Sequence, residues 1–191
     1  MFSFLKGQKK AFLDTHYLVI DLEMTGLNPE EDSIISAGYV SIKQGRIQLG
    51  SAAHQYFKPM TLMADDVLNS AHIHMITDAQ REQNGIDLIE WLQALSGRLK
   101  ADAWVFHHAP LDYAFLIAYS ERLKQPLPKV AVVDTLTVER DKHPDKHLDS
   151  QAQLSLNACR SRYGLPIYRQ HHALSDAIAT AELWLAQNSV R

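Results

Sequence analysis

The chain has 191 residues, 46% of them hydrophobic and 21% charged, with a formal net charge of −3. That suits one globular domain with an ordinary core, and it excludes both a disordered chain and a strongly basic nucleic-acid coat protein. The single cysteine, Cys159, rules out a disulfide framework within the chain and a four-thiolate zinc site, and it fits a reducing, cytoplasmic setting.

The first residues, MFSFLKGQKKAFLDTH, are interrupted by Lys6, Lys9, Lys10 and Asp14 and lack the apolar core of a signal peptide. No stretch reaches the ~18 apolar residues of a membrane span. Residues 1–16 read as an N-terminal extension and 17–188 as the domain. The apolar residues Phe2, Phe4, Leu5, Phe12 and Leu13 would cover either a partner or the domain's own sheet. Residues 17–22, YLVIDL, read as a short buried strand, and Gly26, Asn28 and Pro29 as the turn after it. Residues 34–43 are strand-like, Gln44-Gly45 is a hairpin tip, and 46–57 is the returning strand. Ile86, Ile89, Leu92 or Trp91, and Leu95 recur at helical spacing, which predicts a helix over 86–99. AWVF, 103–106, is a second buried strand. Pro110 opens a helix running to about Leu123, and Pro126 and Pro128 end it. VAVV, 130–133, predicts another buried strand, 152–163 a helix stopped by Gly164 and Pro166, and Ala173 to Gln187 the last helix. A meander of about three strands followed by alternating helices and strands predicts an α/β fold, with a mixed β-sheet flanked by α-helices.

Chemistry concentrates at three element ends. Asp21 and Glu23 close the first strand. Strand side chains alternate, so both carboxylates share a face, ~6–7 Å apart, while Leu22 points into the core. Two like charges on one face repel unless a cation lies between them, and hard oxygen donors suit Mg²⁺ or Mn²⁺. Asp112 lies in the first turn of the Pro110 helix, behind His107 and His108. His171 precedes Asp176 by five residues. Within one helix that spacing would turn them apart, so the useful arrangement puts His171 in the loop entering the helix that carries Asp176. His172 competes with it for the functional role. Each feature has a plain structural reading too: a solvated strand end, an acid favoured by the helix dipole, and histidines satisfying backbone groups.

Together, IDLEMTGL (20–27), HHAPLDYAFL (107–116) and HHALSDA (171–177) resemble the three motifs of the DEDDh 3′→5′ exonucleases. HMIT (74–77) and LSLNACRSRYGL (154–165) extend the likeness over about residues 17–187. The resemblance implies a ribonuclease H-like fold and two divalent cations, Mg²⁺ or Mn²⁺, held by Asp21, Glu23, Asp112 and Asp176. It implies His171 as general base, and Met24, Thr25 and His74 as contacts to the terminal nucleotide. Met75 and His108 depart from the family's usual Gly and Asn. The expected partner is a nucleic-acid 3′ end, with DNA favoured and RNA as the alternative, since the first motif also resembles the oligoribonucleases. Ribonuclease T-like trimming and a non-catalytic binding module are the further alternatives, and the sequence shows no polymerase-binding tail. Leu27 and Met24 are the expected wedges against the last base. Tyr113 and Phe115 are expected in the core. The run 139–149 reads as a solvated loop, whose Lys142, His143, Lys146 and His147 alternatively touch the nucleic-acid backbone.

Overall fold

The computed structural model describes residues 11–60, 76–144, 148 and 150–189. Five strands form one mixed sheet: β1 (Tyr17–Met24), β2 (Ile34–Lys43), β3 (Arg46–Tyr56), β4 (Ala103–Phe106) and β5 (Ala131–Asp134). Their order is β3-β2-β1-β4-β5. β1 pairs antiparallel with β2, and β2 with β3 across the tight turn at Gln44-Gly45, both residues with positive φ, while β4 and β5 add in parallel. The mixed sheet expected from the sequence is therefore present. Seven helices are described: α1 (Asp78–Asn84), α2 (Leu88–Ser96), α3 (Ala109–Arg122), α4 (Thr135–Lys142), α5 (Gln151–Leu154), α6 (Leu156–Arg162) and α7 (Ala173–Asn188).

The alternation of β1 decides which helix meets which residue. Leu18, Ile20 and Leu22 join a core with Trp91 and Leu92 of α2 and Phe115 and Leu116 of α3. Tyr17 and Val19 face the other way, into a core with Ala181 and Trp184 of α7. Asp21 and Glu23 continue this second set, so they emerge on the side that α7 covers. Phe12 packs tilted against Tyr17 and edge-on to Trp184 at ring distances of 5.4 and 5.8 Å, so this part of the apolar start packs on its own domain. Phe115 is fully buried and Tyr113 packs against the same core, as expected.

Several expectations are corrected. The helix foreseen over 86–99 is shorter, because Ile86 forms a bridge with Phe57 and Asp87 becomes the N-cap of α2. The helix foreseen over 152–163 breaks at Ser155, whose hydroxyl accepts the Ala158 amide and caps α6. β5 is not a buried strand: it is the outer strand of the sheet, and Val132 is 38% exposed. The start of the run read as a solvated loop lies in α4. There Glu139 is fully buried, paired with Arg162 at 3.1 Å and with the Gln187 amide at 3.1 Å. α1 was not anticipated, although Thr77 and Gln80 form the capping box that marks its start.

Candidate active site

Carboxylate oxygens of Asp21, Glu23 and Asp176 all lie within 4.8 Å of one another. β1 supplies the first two, and the first turn of α7 brings the third. A glycine permits this approach. Gly38 of β2 is the register partner of Asp21, and a Cβ there would collide with the backbone of Ala173 and Leu174. The start of α7 is thereby seated beside Asp21.

Asp112 reaches the same end of β1 from α3. β1 pairs with β4 only as far as Val19, and beyond that point the Leu22 amide donates to Asp112 Oδ1 at 3.0 Å. Asp112 is outside the three-carboxylate cluster, but its charge acts on Asp21 and Glu23. His107 takes its structural reading, with one ring nitrogen 2.8 Å from the Thr135 hydroxyl and the other 2.9 Å from the Leu154 carbonyl. His108 sits at φ 75°, a left-handed position that Asn and His tolerate better than most residues, and its amide donates to Asp134.

The two C-terminal histidines separate cleanly. His172 is the N-cap of α7, accepts the Ser175 amide, and stacks against His54 of β3 at 4.7 Å. His171 lies in the entering loop at φ 64°, exposed, and its amide donates to Asp176 Oδ2 at 2.8 Å. It lines a cleft of about 520 Å³ together with Asp21, Asp176 and His108. The Met24 side chain is partly buried against the core, whereas Leu27 is 76% exposed. The Thr25 hydroxyl accepts the Ser33 amide and bonds Asp32, so its side chain holds the turn after β1. His74 lies outside the described residues, as do Lys146 and His147. Lys142 and His143 are engaged within the protein, by the Gln187 carbonyl and by Glu139 respectively.

The cluster holds its protons tightly. Burial, then the charges of Asp176 and Asp112, push Glu23 up to about 8. Burial with Asp112, Asp176 and Glu23 raises Asp21 well above the usual carboxylate range. Burial lifts Asp112 to about 7 against the opposing amides of Leu22 and its own residue. Burial also raises Asp176, opposed by the amides of His171 and His172. Asp176 Oδ1 is buried without a hydrogen-bond partner among the described residues. An orphaned oxygen in a converging set of hard, mutually repelling donors fits a divalent cation. Two contributors carried little sequence signal. One is Gly38, a single glycine within a strand. The other is Arg140, in the last turn of α4, which lines the cleft together with Asp21 and Asp176.

The family model described as exonuclease, RNase_T, matches residues 18–184. The chain is 31% identical over 175 residues to the DNA polymerase III PolC-type of Thermotoga petrophila. It is 29% identical over 186 residues to that of Staphylococcus epidermidis. These matches cover 92% and 94% of this chain but only 12% of each relative. Among solved structures, cell-death related nuclease 4 superposes with a TM-score of 0.73 at 15% identity, over 91% of this chain and 63% of that one. The nuclease domain of 3′hExo, a DEDDh family member bound to rAMP, gives 0.70 at 17% identity over 92% of each chain. At these identities the structural likeness is one of fold, and the fold is the ribonuclease H-like one expected.

Proposed function

The chain belongs to the RNase_T exonuclease family, and from that premise we propose that it releases nucleoside monophosphates from single-stranded or frayed 3′ ends, with DNA favoured. Asp21, Glu23, Asp112 and Asp176 would hold two divalent cations, Mg²⁺ or Mn²⁺. Bound there, the cations would acidify the attacking water and offset charge on the phosphate and the leaving 3′-oxygen.

The remaining chemistry belongs to the chain. His171 takes the water's proton, because its loop stands over the cleft and its own amide is pinned to Asp176. With the backbone pinned there, His171 lines the cleft beside Asp21 and Asp176. Met24 and Thr25 meet the terminal nucleotide through the backbone at the end of β1. Leu27, exposed just beyond, presses on the last base. His74 completes the contact set on the strength of the HMIT resemblance alone. DNA is favoured because the relatives matched in sequence are DNA polymerases.

The observation that carries this reading is the convergence of Asp21, Glu23 and Asp176 beside a loop histidine in an open cleft. The test is product analysis on DNA and RNA strands of matched sequence. The proposal expects nucleoside 5′-monophosphates, and faster release from DNA. Release of inorganic phosphate alone would replace it with a phosphatase, and faster release from RNA would reverse the substrate assignment.

A further inference from the structure

The cleft extends past the carboxylates to a second wall built from α4 and the α5–α6 junction, lined by Leu136, Arg140, Leu154, Ser155 and Leu156. Most of the polar groups on and around this wall are engaged within the protein. Ser155 donates to the Ala152 carbonyl and accepts the Ala158 amide. His107, which also lines the cleft, is engaged at both ring nitrogens. The Asp134 carboxylate accepts from His108, Leu136 and Thr137. Arg140 differs from these. It is exposed on the cleft, and no described residue forms an ion pair or hydrogen bond with its guanidinium. α4 itself is fixed from behind, because buried Glu139 is gripped by Arg162 and Gln187. The next residue, Arg140, is therefore presented from a firm base.

We propose that this wall is a subsite for the nucleotides upstream of the scissile bond, with Arg140 meeting one of their phosphates and the leucines meeting a base or sugar. The inference rests on the exonuclease reading above. In that reading the cations at the carboxylates serve the scissile phosphate, so a phosphate further along the strand in the same cleft needs a cation from the chain itself. Arg140 supplies one, and its planar fork matches phosphate oxygens. The one phosphate of the terminal nucleotide is the scissile one, which this reading places at the carboxylates. The wall therefore matters only to substrates with further nucleotides.

The test compares Arg140→Gln and Arg140→Lys with the wild type on two substrates: a single-stranded DNA oligomer, and the p-nitrophenyl ester of thymidine 5′-monophosphate, which has no upstream phosphate. For Arg140→Gln the ratio of kcat/KM on the oligomer to that on the ester falls about tenfold, chiefly through KM, and Arg140→Lys recovers part of it. The slope of log KM against log salt also weakens by about 0.7, as for one lost single-strand phosphate contact. Equal loss on both substrates, or an unaltered salt slope, overturns the inference while leaving the exonuclease reading in place. If the wild type cleaves neither substrate, the exonuclease reading fails. The wall is then judged by oligomer binding in EDTA, where equal affinity of wild type and Arg140→Gln overturns it.

Discussion

Replacing Glu23 with Gln should stabilise the metal-free protein while abolishing its activity. Glu23 rises from 4.5 to about 8 on folding, with burial as the main cause and Asp176 and Asp112 adding to it. The sign follows from proton counting. The native state holds a proton that the unfolded state has released between pH ~4.5 and ~8, so stability falls as pH climbs through that window. At pH 7 the penalty is the distance from 4.5 to 7, about 3 kcal/mol at 1.36 kcal/mol for each pH unit. Gln carries no charge to desolvate or repel, so Glu23→Gln recovers up to that amount. The figure is a ceiling, because the buried amide still costs something to remove from water. A gain of about 1–3 kcal/mol corresponds to a Tm rise of roughly 3–10 °C in a chain of this size. The assay is thermal melting in EDTA from pH 5 to 8.5, repeated with Mn²⁺. The wild type should lose stability with rising pH in EDTA and regain it with Mn²⁺, whereas the variant should be flatter in pH and respond less to the ion. A variant that melts below the wild type in EDTA at pH 8, and gains as much from Mn²⁺, would refute the reasoning.

Three further outcomes are expected. His171→Asn keeps a residue that tolerates φ 64° and so preserves the loop, but it removes the base; kcat should fall by roughly 10²–10⁴ with Mn²⁺ binding retained, read by single-turnover kinetics and calorimetry. Asp112→Asn retains an acceptor for the Leu22 amide and removes a buried charge whose carboxyl is lifted to about 7, so it should lose activity while its Tm in EDTA at pH 8 holds or rises, whereas Asp112→Ala leaves the amide unpaired and should melt below Asp112→Asn by ~1–3 kcal/mol of stability. Gly38→Ala drives a methyl into the start of α7; denaturant melts should show a loss of at least ~1–3 kcal/mol, with activity falling at temperatures where the variant remains folded.

The sheet and most helices were legible because their signals are local. The IDLEM segment declares a strand with two carboxylates on one face, and Pro110 and the Ala173–Gln187 periodicity declare helices. The break at Ser155 was hidden because its cap signal sits inside an apolar helical run, and buried Glu139 was hidden because its partners, Arg162 and Gln187, are distant in sequence. The same distinction applies within the site. The five-residue offset of His171 from Asp176 correctly placed the histidine in a loop. The motif resemblance singled out His171 over His172, but the different surroundings of the two, His172 capping α7 against His54 and His171 lining the cleft, were not visible in the sequence. Gly38 and Arg140 matter through what faces them across the fold, α7 in one case and the cleft in the other.

The most direct test of the central claim is a digestion of 5′-labelled single-stranded DNA, followed in time, with Mg²⁺, with EDTA, and with Asp21→Asn. The account predicts a ladder that shortens stepwise from the 3′ end with Mg²⁺ and is absent from the other two. A ladder that persists in EDTA or with Asp21→Asn would contradict it, as would intact strands with the folded wild type and Mg²⁺.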